Sequence, residues 1–187
     1  MTDLTPTTAV VLIPPRVAWE PIQAIRRVHD RQVSRWMPHV TLLYPFWPAA
    51  RFDEAAVRLA EACAGIATFG VTLVRFRSFA HSPRRFTIWL EPDPREPLVR
   101  LQTALQAAFP ECDAQSRFPG GFTPHLSVGQ AQGEGGLETL LDRIRPGWRP
   151  LRLDVTEVSV IARDERGPFE VIRTARLGVT PSPPAGG

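Results

Sequence analysis

The sequence has no lysine; all 22 of its basic residues are arginine. A formal charge of +3 and a pI near 9.6 would ordinarily suggest an anionic partner such as nucleic acid. Taken with 20 prolines and abundant alanine, the exclusive use of arginine reads as a bias of the whole composition. The charge is then weak support for nucleic-acid binding, and any single arginine is weak support for a site. Cysteine is scarce too. Cys63 and Cys112 lie far apart without a Cys-x-x-Cys pattern, and Cys63 falls on an apolar helix face, which points to buried free thiols in a reducing cytosol. No apolar run approaches the ~20 residues of a membrane span, and the N-terminus lacks the basic-then-apolar plan of a signal peptide. A cytoplasmic protein without membrane contact is expected. The four histidines have neither cysteine partners nor a His-Glu-x-x-His spacing, so no metal and no other cofactor is expected.

What the sequence does contain is an order of elements that recurs. TAVVLIPP (8–15) predicts a buried strand stopped by prolines, and Ala18, Ile22, Ile25 and His29 mark one face of a helix over 17–32. A short strand follows His39. FDEAAVRLAEACAGI (52–66) predicts a helix with acidic residues in its first turn, and 68–79 a long strand. The order then restarts with a strand at 85–92, a helix at 95–109 carrying the stripe Leu98, Leu101, Leu105 and Phe109, and a short strand after His125. A helix at 137–145, a long strand at 151–162 and a final strand at 169–177 complete it. Each half reads strand, helix, short histidine strand, helix, long strand, with a period of roughly 80 residues, so an internal duplication over about 8–79 and 85–162 is expected. The Gly-rich first turns of a nucleotide-binding parallel sheet are missing. The expected architecture is α+β: two pseudo-symmetric lobes of mainly antiparallel sheet with flanking helices, an active-site cleft between them, and a single bilobal domain over 1–178. The tail 179–187, TPSPPAGG with the valine before it, is expected to be disordered.

The chemistry lies in two short phrases. RWMPHVTLLYPF (35–46) and GFTPHLSVGQ (121–130) both place Pro-His before an apolar residue, a hydroxyl and another apolar residue. Residues i and i+2 of a strand share a face, so His39 projects with Thr41 and His125 with Ser127, while Val40, Leu42, Leu126 and Val128 face the core. Pro38 and Pro124 lack an amide donor and suit a strand's first position. A single such histidine is usually structural. Two copies at equivalent points of a repeated order point to a shared site.

These two phrases resemble the paired His-x-Thr/Ser-x motifs of the 2H phosphoesterases, and WMPHVTLLYPF is most similar to the 2'-5' RNA ligase-like branch. The resemblance spans about 8–177 in motif order and element order. It implies a metal-independent phosphoesterase that opens 2',3'-cyclic phosphates of nucleotides or RNA ends, with reversible 2'-5' RNA ligation by the same machinery. His39 and His125 would be the acid–base pair, and Thr41 and Ser127 would donate to the phosphate oxygens. Serine stands in the second motif where threonine is commoner; it keeps the donor but lacks the methyl that stiffens χ1. The expected partners are RNA ends or small nucleotides carrying a 2',3'-cyclic phosphate, bound by a monomer. The competing reading is an AMP-like nucleotide-binding or RNA-binding module with little or no turnover.

Other residues are candidates for base or phosphate contacts. Tyr44 follows the first motif, and Phe122 precedes the second in the segment FPGGF, where it could close over a ligand. Arg35 precedes the first motif, and Arg84 and Arg85 precede the central strand. His29 is expected to be structural; His81, at a turn between the halves where it could border the cleft, is expected to be structural or exposed.

Overall fold

The structure is a computed structural model and describes residues 4–178; the tail expected to be disordered lies outside the described residues. Eight strands form one antiparallel sheet: β1 (Thr8–Leu12), β2 (Val40–Leu43), β3 (Phe69–Ser82), β4 (Arg85–Asp93), β5 (Leu126–Gln132), β6 (Leu151–Val155), β7 (Glu157–Ala162) and β8 (Glu170–Arg176). Four helices accompany them: α1 (Trp19–His29), α2 (Phe52–Ala64), α3 (Glu96–Ala108) and α4 (Gly133–Ile144). The strand order is β6-β3-β4-β5-β2-β1-β7-β8. At the seam β2 meets β5 through a single paired rung, Val40 with Leu126. That rung divides the sheet into lobe 1 (β2, β1, β7, β8) and lobe 2 (β5, β4, β3, β6). The two lobes and the antiparallel α+β architecture agree with the sequence.

The elements form where the apolar periodicity places them. Leu98, Leu101, Leu105 and Phe109 of the α3 stripe are all fully buried, as are Ile22 of α1 and Leu59 and Cys63 of α2. They join one large core with alternate residues of the strands, among them Val10, Leu12, Val40, Leu126, Ile88 and Leu90. At roughly 1.5–3 kcal/mol per large apolar side chain, this burial is the main force holding helices to sheet. Both thiols sit in this core, where loss of solvation pushes Cys63 up to about 11 and Cys112 up to about 12. A second, smaller cluster of Ala9, Val11, Ile161 and Phe169 covers the other face of lobe 1, so the central β1 is buried on both sides.

The expected long strand over 151–162 is instead two strands that belong to different lobes. β6 pairs with β3 at the edge of lobe 2, and β7 pairs with β1 in lobe 1. The break is at Thr156, whose carbonyl accepts from Leu177 N. The apolar positions that face the main core change there from odd (Leu153, Val155) to even (Val158, Val160). A strand cannot change phase without leaving its ladder. As a result the third strand of each half crosses over, β3 beside β4 and β7 beside β1.

One feature shared by β2 and β5 prepares the site. Against β1, Val10 pairs with Leu43 but Val11 with Thr41, leaving Leu42 as an extra, unpaired residue. Against β4, Ile88 pairs with Gly129 but Trp89 with Ser127, leaving Val128 extra. Each motif strand therefore bulges immediately after its hydroxyl residue, and VTLL and LSVG show the same burial pattern. A bulge turns the following residue back to the core side while increasing local twist. Gly129 consequently faces α1, where a Cβ would lie 2.9 Å from His29 Cβ and 3.0 Å from the His29 carbonyl; glycine is required by that close approach.

Candidate active site

The seam brings the two phrases together. Extending the Val40–Leu126 register by one residue each way sets His39 opposite Ser127 and Thr41 opposite His125, and directly opposed residues in an antiparallel pair share a face. All four side chains are partly exposed, while Val40, Leu42, Leu126 and Val128 are buried behind them. The paired ladder is confined to that rung, with the two histidines one residue from it on either strand.

Each imidazole is held the same way. His39 Nδ1–H donates to the Met37 carbonyl at 2.7 Å, and His125 Nδ1–H donates to the Thr123 carbonyl at 2.8 Å. This bond to the carbonyl two residues back fixes the tautomer and leaves Nε2 free on both rings. Loss of solvation dominates the proton affinity of each. It pushes His39 down to about 4, opposed by the Met37 hydrogen bond and assisted by the nearby positive charges of Arg26 and His125; Asp30 acts the other way. His125 is also lowered by burial, opposed by its bond to Thr123. In the free protein at neutral pH both Nε2 atoms carry lone pairs. An anionic phosphate would restore a proton to one of them.

The walls differ. In lobe 1, Trp36 stacks on His39 with centroids 4.7 Å apart and planes at 18°, and also lies 3.8 Å from the Phe169 ring. In lobe 2, Phe79 and Trp89 stack on each other at 4.8 Å and meet His125 at 5.0 and 5.9 Å. Trp89 Nε1 is buried without a hydrogen-bond partner among the described residues, a cost of about 1–3 kcal/mol borne where the ring meets His125. A cavity of about 460 Å³ opens beside His125, lined by Phe79, His81, Gln115, Phe118 and Thr123 among others.

Behind the seam lies a buried ion pair. Arg26 Nε donates to Asp30 Oδ2 at 2.8 Å, with both side chains almost fully buried. A second Arg26 donor reaches the Trp36 carbonyl at 2.9 Å, and Gln130 Nε2 donates to Asp30 Oδ1 at 3.0 Å. One network thus runs from β5 through α1 to the residue that stacks on His39.

The other sequence candidates are dispersed. Tyr44 belongs to the lobe 1 aromatic cluster, its edge against Trp36 and its hydroxyl donating to the Pro6 carbonyl at 3.3 Å. Phe122, expected as a flap, turns into the main core at 6% exposure, and across the Gly120–Gly121 turn Phe118, at 64%, takes the outer position. Arg35 is exposed on the far side of Trp36, and Arg84 and Arg85 are exposed at the β3–β4 turn. Arg85 precedes Trp89 by four strand residues, about 13 Å. His81 lines the cavity beside His125 and bonds Thr87 Oγ1 at 2.9 Å. Sequence reasoning missed Arg26, Asp30, Trp36, Phe79, Trp89 and Phe118. Two signals were available: a charge pair spaced i,i+4 near an apolar helix stripe, and an aromatic three residues before each histidine (Trp36 and Phe122).

A bilobal α+β fold with paired histidine–hydroxyl strands at its seam defines the 2H phosphoesterase class. The model of the 2'-5' RNA ligase superfamily matches residues 14–167, and the chain belongs to that family. Escherichia coli LigT complexed with phosphate has a similar fold at 18% identity and a TM-score of 0.62, covering 94% of this chain and 99% of that one. LigT complexed with 3'-AMP aligns at 20% identity and 0.62, covering 91% and 97%. TT0787 of Thermus thermophilus aligns at 17% and 0.59, covering 91% and 97%. No curated protein sequence matches the chain. Among the described residues no helix is long and apolar enough to cross a membrane.

Proposed function

We propose that this protein hydrolyses 2',3'-cyclic phosphates by two-histidine acid–base catalysis. The observation that carries this reading is the matched pair of imidazoles, each tethered at Nδ1 to the carbonyl two residues before it and each free at Nε2. One Nε2 accepts the proton of a water whose oxygen bonds to phosphorus. The other, protonated once the anion is bound, delivers its proton to the departing ribose oxygen as the phosphorus–oxygen bond breaks. Thr41 and Ser127 donate to the non-bridging oxygens, where negative charge accumulates. The cavity beside His125 offers room for the nucleoside that bears the phosphate. With a 5'-hydroxyl in place of water as the nucleophile, the same steps would join RNA ends through a 2'-5' bond, the 3' oxygen leaving with the acid's proton.

The test is turnover of 2',3'-cyclic nucleotides and cyclic-phosphate-ended RNA, with chelator present, by wild type, His39→Ala and His125→Ala. Loss of turnover in both variants is expected. Wild-type activity surviving either substitution would overturn the reading. The pH profile gives a second check. With both free-enzyme imidazoles below 6.5, the singly protonated pair becomes rarer as pH rises above that value. Thus kcat/KM should peak below pH 6.5 and fall about tenfold per unit above it. A profile flat to pH 8 would contradict it.

A further inference from the structure

A second cavity, of about 440 Å³, lies in lobe 1 on the far side of Trp36 from the imidazoles. Arg16, Trp19, Arg35, Trp36, Phe169 and Glu170 are among the residues that line it. Trp36 lies against both His39 and Phe169, so this groove and the candidate active site share a wall. The Arg16 guanidinium sits 3.8 Å over the Trp19 ring, forming a flat cationic platform at the rim. Arg16 and Arg35 have no carboxylate partner among the described residues, and they outnumber the one lining carboxylate, Glu170. Two unpaired guanidiniums beside an aromatic platform suit a backbone phosphate and a stacked base.

We propose that this groove binds the nucleotide adjoining the reacting phosphate, so that the preferred substrate is an RNA chain end and not a free cyclic mononucleotide. The inference rests on the proposed reaction at His39 and His125 and adds the substrate class. A cyclic mononucleotide has a single phosphate, which the histidines would hold, leaving nothing anionic for Arg16 and Arg35. An RNA end brings a second phosphate and a second base. The cavity beside His125 has no arginine in its lining, so among these two sites only the lobe 1 groove is built for an additional charge.

The experiment uses a short fluorescent RNA with a 2',3'-cyclic phosphate end and a 2',3'-cyclic mononucleotide, against wild type and Arg16→Ala/Arg35→Ala. RNA affinity should fall about tenfold, and the slope of log affinity against log salt should shrink by about 0.7, the share of the one backbone phosphate released. The ratio of kcat/KM for RNA over mononucleotide should fall by a similar factor. Arg35→Glu alone, at an exposed position, should move both readouts the same way. Arg145→Ala/Arg149→Ala, exposed outside the groove, should move them little. Unchanged RNA affinity and slope would overturn the inference, as would equal losses for both substrates. If wild type turns over neither substrate, the proposed reaction fails, while RNA affinity and its salt slope still decide whether the groove binds RNA.

Discussion

In lobe 1 the aromatic three residues before the motif histidine, Trp36, lies flat on the His39 ring. In lobe 2 the corresponding Phe122 is turned into the core, and Phe79 and Trp89 present edges to His125. The surrounding walls diverge as well. Lobe 1 lines its inner face with Ala9, Val11, Ile161 and Phe169. Lobe 2 carries Thr87, Trp89 and Glu91 on β4 and Arg75, Arg77 and Phe79 on β3, with both arginines paired to Glu91. What the lobes share is backbone: the bulge after the hydroxyl, the Nδ1 tether two residues back and the single rung between strands. The repeated frame sets where the four polar side chains point, and the unlike walls are free to serve different parts of a substrate.

The largest expected effect tests whether the two halves are equal partners. His39→Ala and His125→Ala should each lower kcat/KM about 10³-fold, and the double variant should be little worse, since acid and base act as a unit. A loss confined to one would make the lobes unequal in the chemistry itself. Next is the support behind the seam. Removing one member of the buried pair by Arg26→Met should cost about 3 kcal/mol in urea unfolding. Arg77→Ala, which breaks an exposed pair on lobe 2, should cost under about 1 kcal/mol. Thr41→Val and Ser127→Ala should each reduce kcat about 10²-fold with KM changing less, as expected for donors to charge that develops in the transition state. If Ser127→Ala costs much less than Thr41→Val, the phosphate sits nearer lobe 1.

How far the sequence reveals this arrangement depends on the kind of signal. The shared faces of the four candidate residues and the core stripes follow from periods of 2 and 3.6, and the pairing of the phrases marks the four as candidates. The bulges at Leu42 and Val128 leave no such trace, because an extra residue shows only once the partner strand is known. Arg26 reads as a surface arginine in a chain rich in arginine, and its burial depends on Asp30, Gln130 and the Trp36 carbonyl meeting in three dimensions. The break at Thr156 was written in the phase change of the alternation, but a run of β-formers on both sides concealed it. Phe122 and Phe118 straddle two glycines with positive φ, Gly120 and Gly121, whose turn decides which ring faces inward.

A modest effect is expected on the pH dependence of stability. Both site histidines have folded-state values below the unfolded 6.5, so the unfolded chain binds more protons in acid. The stability linked to their neutral forms is fully present above about pH 6.5 and is lost as pH falls toward 4 for His39. His39→Gln removes that liability and should gain on the order of 1 kcal/mol over wild type at pH 5, relative to pH 7.5, allowing for the ring's partial exposure. Equal pH dependence in the two proteins would mean that Trp36 does not desolvate His39 as its stacking implies.

The central claim is that both imidazoles address one phosphate through Nε2. Nitrogen NMR of the two side chains, titrated with pH in the absence and presence of a nucleoside 2'-phosphate, tests it most directly. Without ligand, both rings should appear as the Nδ1–H tautomer and titrate below pH 6.5. With ligand, both Nε2 resonances should shift and both apparent pKa values should rise. A response from only one ring, or from neither, would contradict the account.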